Sequence, residues 1–363
     1  MSTSEPLVTI AVFCYNTARY LPALCRSLQA QTHRNFEALV FDDGSTDNSI
    51  EVVKSFLQDE RFQLIAWQPN GGLGRAVATA LERIRGEYYV LIAADDELKP
   101  DFLKQRVAWM EQHPQVGFIH GAVEFIDENG QVLPETSPLA ETIAGMRQIQ
   151  RAMQQLPPVM DSDDALRLLL QHNLVFAPSV FLRTSTTRRL TPYVQMKWNF
   201  ASDWYLWLLH ATAAKVAYDP EPLARYRIHN VSLSYNPRYQ GPKQAEIRLI
   251  PLCALSFAAE ISFDAARLWT RHRKSLYSLW LRRALVLRRA GLLQDDWLQM
   301  AAVACYGRGR NHVSLEREVA RHAANILWSG WNESLARRRQ WCGVSGLAQV
   351  EHPFFAQKNN PCP

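Results

Sequence analysis

The chain has 363 residues, 47% of them apolar, enough to bury a sizeable core, and its formal charge of +5 comes from 40 basic against 35 acidic residues. Its six cysteines are scattered with no CxxC pair, and no secretory leader pattern opens the chain, so a disulfide scaffold is excluded and a reducing, cytoplasmic setting is expected. No run approaches the roughly 18 consecutive apolar residues of a spanning helix, since even the stretch 252–262 is broken by Glu260.

In chain order, Val8 to Phe13 is a β-branched run that predicts a strand, and Leu21, Leu24, Cys25 and Leu28 then recur at helical spacing. Residues 36–41 form the next apolar run. A helix is expected from Thr46 or Asp47, burying Ile50, Val53 and Leu57. A third strand reads over 62–67, a turn over 70–74, and a helical stripe at Leu73, Val77, Ala80, Leu81 and Ile84. The fourth strand is 88–94; Pro100 opens a helix carrying Leu103, Val107 and Met110, and 116–126 is a longer apolar run before a turn at Asn129–Gly130. From about 131 to 162 the periodicity fades into a polar, proline-bearing segment. A helix follows at 164–173, a strand region at 174–183, a helix near 203–214, and then the separate stretches 215–219 and 224–234. The tyrosine- and proline-rich residues 234–242 read as a linker, and the pattern beyond them is helical.

Alternation of helices with nearly all-apolar strands predicts an α/β fold with a mainly parallel sheet covered on both faces. Ligands bind such sheets at the C-terminal strand ends. Two carboxylate pairs, Asp42–Asp43 and Asp95–Asp96, stand where apolar strands run out, so both converge on one crevice. Adjacent carboxylates repel unless a cation or hydrogen-bond donors compensate them, and a hard divalent ion that also binds substrate phosphates is the usual solution. Turn and capping chemistry is the competing explanation for each pair taken alone. The acidic run at Asp161–Asp164 precedes an apolar helix and needs only the helix dipole to explain it. Residues 71–74, GGLG, lack the GxGxxG spacing of a dinucleotide oxidoreductase.

The segments VTIAVFCYN, SLQAQTHRNFEALVFDDGSTDNS, NGGLGRAVATAL, GEYYVLIAADDELKPDFL and ASDWYLWLLHA with YRIHNVSLS, in this order and at these intervals, resemble the family 2 glycosyltransferases of the GT-A fold over about residues 6–234. The resemblance implies a Rossmann-like, mainly parallel sheet in a catalytic domain over 1–240, with a helical C-terminal region over 241–363. It also implies roles. Tyr15 and Asp43 would hold the base of a nucleotide-sugar, Asp95 would face the ribose, and Asp96 would bind Mn²⁺ or Mg²⁺ between the two phosphates. Asp203 would be the catalytic base, and His229 would complete the metal site or touch the diphosphate. Several positions depart from the family pattern: Phe13–Cys14 before Tyr15–Asn16, Ala93 in place of the first acid of a D-x-D-D run, Ser202 in place of a glutamate, and Val77 in place of an arginine. The last makes Arg75 a candidate cation for the donor diphosphate. Read as residues alone, Asp203 is also a helix cap and His229 also a loop histidine.

The chemistry suits these residue types. A metal neutralises charge developing on a leaving diphosphate, and a carboxylate takes the proton of an attacking hydroxyl. One base without a protein nucleophile implies single displacement with inversion. The expected enzyme moves a sugar from a nucleotide-sugar, a uridine diphosphate sugar first among the candidates, onto a glycan or lipid-linked acceptor in surface polysaccharide synthesis. A catalytically silent nucleotide-sugar-binding scaffold is the alternative. A nucleotidyltransferase is disfavoured because residues 13–21 hold no glycine- and lysine-rich phosphate loop.

From Gly241 onward there are 18 basic against 9 acidic residues, whereas the preceding part has 22 against 26. Around 274–293, Tyr277, Trp280, Leu281 and Ala284 make an apolar stripe with Arg282, Arg283 and Arg289 largely off it. Such a helix either packs on the catalytic domain with a solvated basic face or rests on an anionic membrane surface. Nucleic acid is not expected as a partner, since no reader motif accompanies the basic residues.

Overall fold

The structure, a computed structural model, describes residues 5–137, 140–170, 172–190, 200–229, 232 and 250. The basic segment around 274–293 and the proposed boundary at 240 lie outside the described residues.

The N-terminal half alternates as its periodicity predicts: β1 (Val8–Cys14), α1 (Leu21–Gln29), β2 (Phe36–Asp42), α2 (Ser49–Lys54), β3 (Phe62–Ala66), α3 (Leu73–Arg83), β4 (Tyr88–Ala93), β5 (Glu97–Leu98) and α4 (Phe102–Gln112). Then follow β6 (Val116–Ile126), α5 (Ala140–Met153), β7 (Val159–Met160), α6 (Ser162–Leu169), a 3₁₀ turn (Ala177–Ser179), β8 (Phe181–Arg183), α7 (Thr184–Leu190), α8 (Ser202–Ala213) and β9 (Lys215–Arg227). The strands form one sheet in the order β3-β2-β1-β4-β8-β6-β9-β5, with β7 against β9. β1 to β4 are mutually parallel, β8 runs antiparallel to both β4 and β6, and β6 and β9 are again parallel. The sheet is therefore mixed, and its direction of winding reverses between β1 and β4.

β1, β2 and β4 are almost wholly buried, as strands covered on both faces must be. α1 buries Leu21, Leu24, Cys25 and Leu28, and α4 buries Leu103, Val107 and Met110, as their spacing predicts. α8 buries ten of its residues, including Trp204, Trp207 and Leu208, because α3, α6, α7 and β6 all contact it. A helix apolar all round is a core helix.

Three expectations are corrected. α2 ends at Lys54, so Val53 is buried while Leu57, beyond the helix, is 38% exposed. The segment 131–162, read as irregular, contains α5, whose Ile143 and Met153 are buried and whose Met146 and Ile149 pack against the core. The stretches at 215–219 and 224–234 belong in part to one strand, β9. Its pairing with β6 steps from Gly121–Asp219 to Val123–Ala224, so that residues between them loop out. Pro220 and Pro222, which have no N–H to give a ladder, sit in that irregularity.

Candidate active site

The corner after β1 and β2 is built by hydrogen bonds that answer why a buried strand ends in two carboxylates. Asp42 is fully buried and accepts the Ser45 amide at 3.0 Å and the Cys14 thiol at 3.4 Å, closing the turn after β2. Asn16, held at φ 53°, accepts the amides of Thr46 at 2.8 Å and Asp47 at 3.3 Å and donates its own amide to Ser45 Oγ at 2.9 Å. The preceding Tyr15 is left 49% exposed beside this corner.

Asp43 turns the other way. Its Oδ1 accepts Trp67 Nε1 at 2.5 Å and the Gly71 amide at 2.8 Å, and its Oδ2 accepts the Gly72 amide at 2.7 Å. Both oxygens of this nearly buried carboxylate thus anchor residues 67–72, leaving about one acceptor position of roughly four for a ligand. The expected base-binding aspartate is first an organiser of that loop. Arg75 is exposed, and its guanidinium lies 5.0 Å from the Trp67 ring centroid, a cation–π contact at the rim of the same corner.

The two carboxylates of the second pair have different surroundings. Asp95 Oδ2 meets His229 Nε2 at 2.8 Å. Asp96 is 3% exposed, and its Oδ1 accepts the backbone N–H of Arg227 at 3.0 Å, fastening the end of β9 to the β4–β5 corner. Burial, and then the neighbouring charge of Asp95, push the Asp96 carboxyl well above the ordinary carboxylate range. The carboxylate that faces an imidazole is therefore Asp95, while Asp95 and Asp96 both line the cavity. His229 Nδ1 is buried without a hydrogen-bond partner among the described residues. The His229 ring packs on Tyr20 at 4.7 Å between centroids.

A cavity of about 590 Å³ opens beside this pair. Asp95, Asp96, Asp203, Asn173 and Arg227 line it together with apolar residues that include Val77 and Trp207. Asp203 stands in the first turn of α8, where the helix dipole favours a negative charge, but the N-cap position belongs to Ala201. Its Oδ1 accepts the Trp204 amide at 2.6 Å, and its Oδ2 accepts Asn173 Nδ2 at 3.3 Å. The indole of Trp204 donates to Leu169 O at 2.8 Å and so ties the start of α8 to α6.

The structure thus brings Asp95, Asp96 and Asp203 to one cavity, joins His229 to it through Asp95, and sets Asp43 and Arg75 at Trp67. Sequence reasoning missed Arg227, Trp67 and Asn173. Arg227 stands two residues before His229, a proximity that was visible, but its burial and contacts were not. Among the described residues no group of three His, Cys, Asp or Glu side chains forms a complete metal cage, and no helix is long and apolar enough to cross a membrane.

A mostly parallel sheet whose strand order reverses beside an acidic cavity, with carboxylates past the ends of β2 and β4, is the architecture of the GT-A fold. Residues 9–171 match the model described as Glycosyl transferase family 2, so this segment is a glycosyltransferase domain of that family. It is 28% identical over 269 residues to an uncharacterized glycosyltransferase of Nostoc sp., covering 71% of this chain and 77% of that one. It is 26% identical to TuaG of Bacillus subtilis, a glycosyltransferase named for teichuronic acid biosynthesis, covering 65% of this chain and 84% of TuaG. Among solved structures, residues 1–349 of S. aureus TarS in complex with UDP superimpose with a TM-score of 0.52 at 16% identity, covering 88% of this chain and 91% of that one. TarS has also been solved with UDP-GlcNAc.

Proposed function

We propose that the protein is a metal-dependent, inverting glycosyltransferase that moves a sugar from a uridine diphosphate sugar onto a hydroxyl of a glycan or lipid-linked acceptor in surface polysaccharide assembly. The observation that carries this reading is the placing of Asp95, with His229, and Asp203 around one cavity of sugar-nucleotide scale. The UDP and UDP-GlcNAc complexes of TarS support the donor class, and the name of TuaG supports the acceptor class.

Asp95 and His229 fit a divalent ion better than Asp96 does. They offer one carboxylate oxygen and one imidazole nitrogen at a single point, and a diphosphate and water supply the remaining ligands that Mn²⁺ or Mg²⁺ takes at such sites. When bound, the ion supplies Lewis-acid stabilisation of the departing diphosphate. Tyr15 offers its exposed ring to the uracil, while Asp43 holds the 67–72 loop and gives its remaining acceptor position to the base. Arg75, exposed beside the Trp67 ring, offers its guanidinium to the diphosphate. Asp203 takes the proton of the acceptor hydroxyl, its orientation set by the amides of Trp204 and Asn173. A single carboxylate on the acceptor side supports direct displacement with inversion.

The test is release of UDP from a panel of UDP-sugars with Mn²⁺. Asp203→Asn is expected to bind UDP as tightly as the parent protein while turnover falls by about 10²–10⁴-fold. Unchanged turnover in this variant removes Asp203 as the base.

A further inference from the structure

We infer that Arg227 is the positioning residue that holds Asp95 and His229 at metal-binding distance, an inference that rests on the reading of these two as the metal ligands. Asp95 lies on the irregular turn between β4 and β5, and His229 lies two residues past the end of β9, so neither is fixed by the ladder of a strand. Arg227 spans the gap. Its backbone amide donates to Asp96 Oδ1 at 3.0 Å, its Nε donates to the Asp95 carbonyl at 2.6 Å, and its Nη1 donates to the Asp127 carbonyl at 2.8 Å. Its Nη2 pairs with Glu97, and its guanidinium lies 5.1 Å from the ring centroid of Tyr20, the same ring that packs on His229.

The side chain is 2% exposed, and every nitrogen of its fork has a partner. A planar guanidinium with several donors in fixed directions can hold a carbonyl of the turn, a carbonyl after β6 and a carboxylate of β5 at once; an ammonium cannot. Asp96 works in the same device. By accepting the Arg227 amide it docks the end of β9 against the turn that carries Asp95, and His229 follows two residues later. Groups that orient metal ligands typically cost 10–100-fold in metal affinity when altered.

The experiment titrates Mn²⁺ into the full-length protein with saturating UDP, reading free Mn²⁺ by electron paramagnetic resonance, beside thermal melting of each variant. Arg227→Lys keeps the charge and loses the fork. The expected result is a Mn²⁺ dissociation constant raised at least tenfold in a variant that still melts cooperatively. Unchanged Mn²⁺ affinity in a folded Arg227→Lys protein overturns the positioning role while leaving the metal site intact. Should that variant fail to fold, Glu97→Gln, which weakens the hold on Nη2 from the more accessible side, decides in the same assay: weakened Mn²⁺ binding supports the role and parent-like binding overturns it. A parent protein that takes up no Mn²⁺ with UDP present overturns the metal reading itself, and this inference with it.

Discussion

His229 Nε2 and Asp95 Oδ2 stand 2.8 Å apart although 134 residues separate them in the chain. An imidazole and a carboxylate so placed, with the other imidazole nitrogen buried and unpartnered among the described residues, form either a hydrogen-bonded pair or two ligands of one shared cation. The second alternative gives the first prediction. His229→Ala is expected to weaken Mn²⁺-dependent UDP binding about tenfold or more in calorimetric titration and to leave metal-free UDP binding little changed. Equal losses with and without metal would point to a purely structural histidine.

The corner around Asp43 predicts a coupling between loop and stability. Trp67→Phe removes one of three donors to a nearly buried carboxylate while keeping an aromatic ring against Phe41. Since hydrogen bonds to charged groups contribute about 1.5–3 kcal/mol and Trp67 is half-buried, a loss near about 1.5 kcal/mol is expected in urea unfolding. UDP affinity should fall with it, because the 67–72 loop loses an anchor.

Gly44 lies in the turn between Asp43 and Ser45 at φ +78°, and a Cβ built there would come within 2.8 Å of the Asn70 amide nitrogen. Both the left-handed backbone and the contact oppose a side chain. Gly44→Ala is therefore expected to cost at least about 1–2 kcal/mol in unfolding free energy. A neutral effect would mean that the 67–72 loop yields freely.

Two buried histidines set a pH dependence. Burial pushes His120 down to about 3 and His210 down to about 4, so both are neutral in the folded protein at pH 7. The unfolded chain takes up these protons near pH 6.5, so nothing is lost above that value. Below it the folded state is penalised by about 1.4 kcal/mol per pH unit for each histidine until its folded value is reached. Unfolding free energy should thus fall between about pH 6.5 and 4, and His210→Gln should reduce that slope by about one proton. An unaltered slope would show that His210 can charge within the folded protein.

Much of the N-terminal half was legible because its elements are long and periodic: β1, β2 and β4 read as continuous apolar runs, and α1, α3 and α4 as helical stripes. α5 was passed over although Ile143, Met146, Ile149 and Met153 recur at helical spacing, because Gln, Arg and Gly residues dilute the stripe and prolines flank it. Of the strand region read over 174–183 only the last three residues pair, as β8 between β4 and β6, because Pro178 sits in a 3₁₀ turn (Ala177–Ser179) just before it.

The site was legible to a similar depth. The positions of the aspartate pairs at strand ends followed from the apolar runs before them, whereas Asp203 was singled out only by the family resemblance, its place at a helix start reading by itself as a cap. The division of roles within Asp95–Asp96 was not legible. On an irregular turn, which of two adjacent carboxylates is buried is decided by the partner that arrives from β9, here the Arg227 amide. Arg227 itself looked like one basic residue among forty until burial and five partners distinguished it.

The most direct measurement is thermal melting of the parent protein, Asp95→Asn and Asp96→Asn, each alone, with UDP, with Mn²⁺ and with both. A ligand at a hundred times its dissociation constant adds about 2.7 kcal/mol, well within what a melting curve resolves. The account predicts that UDP and Mn²⁺ together raise the melting temperature of the parent protein more than either alone. It predicts that Asp95→Asn abolishes the joint effect, and that Asp96→Asn, whose amide oxygen can still accept the Arg227 N–H, retains most of it. Loss in Asp96→Asn with retention in Asp95→Asn would contradict the assignment of the metal, and indifference of the parent protein to UDP with Mn²⁺ would contradict the donor site as a whole.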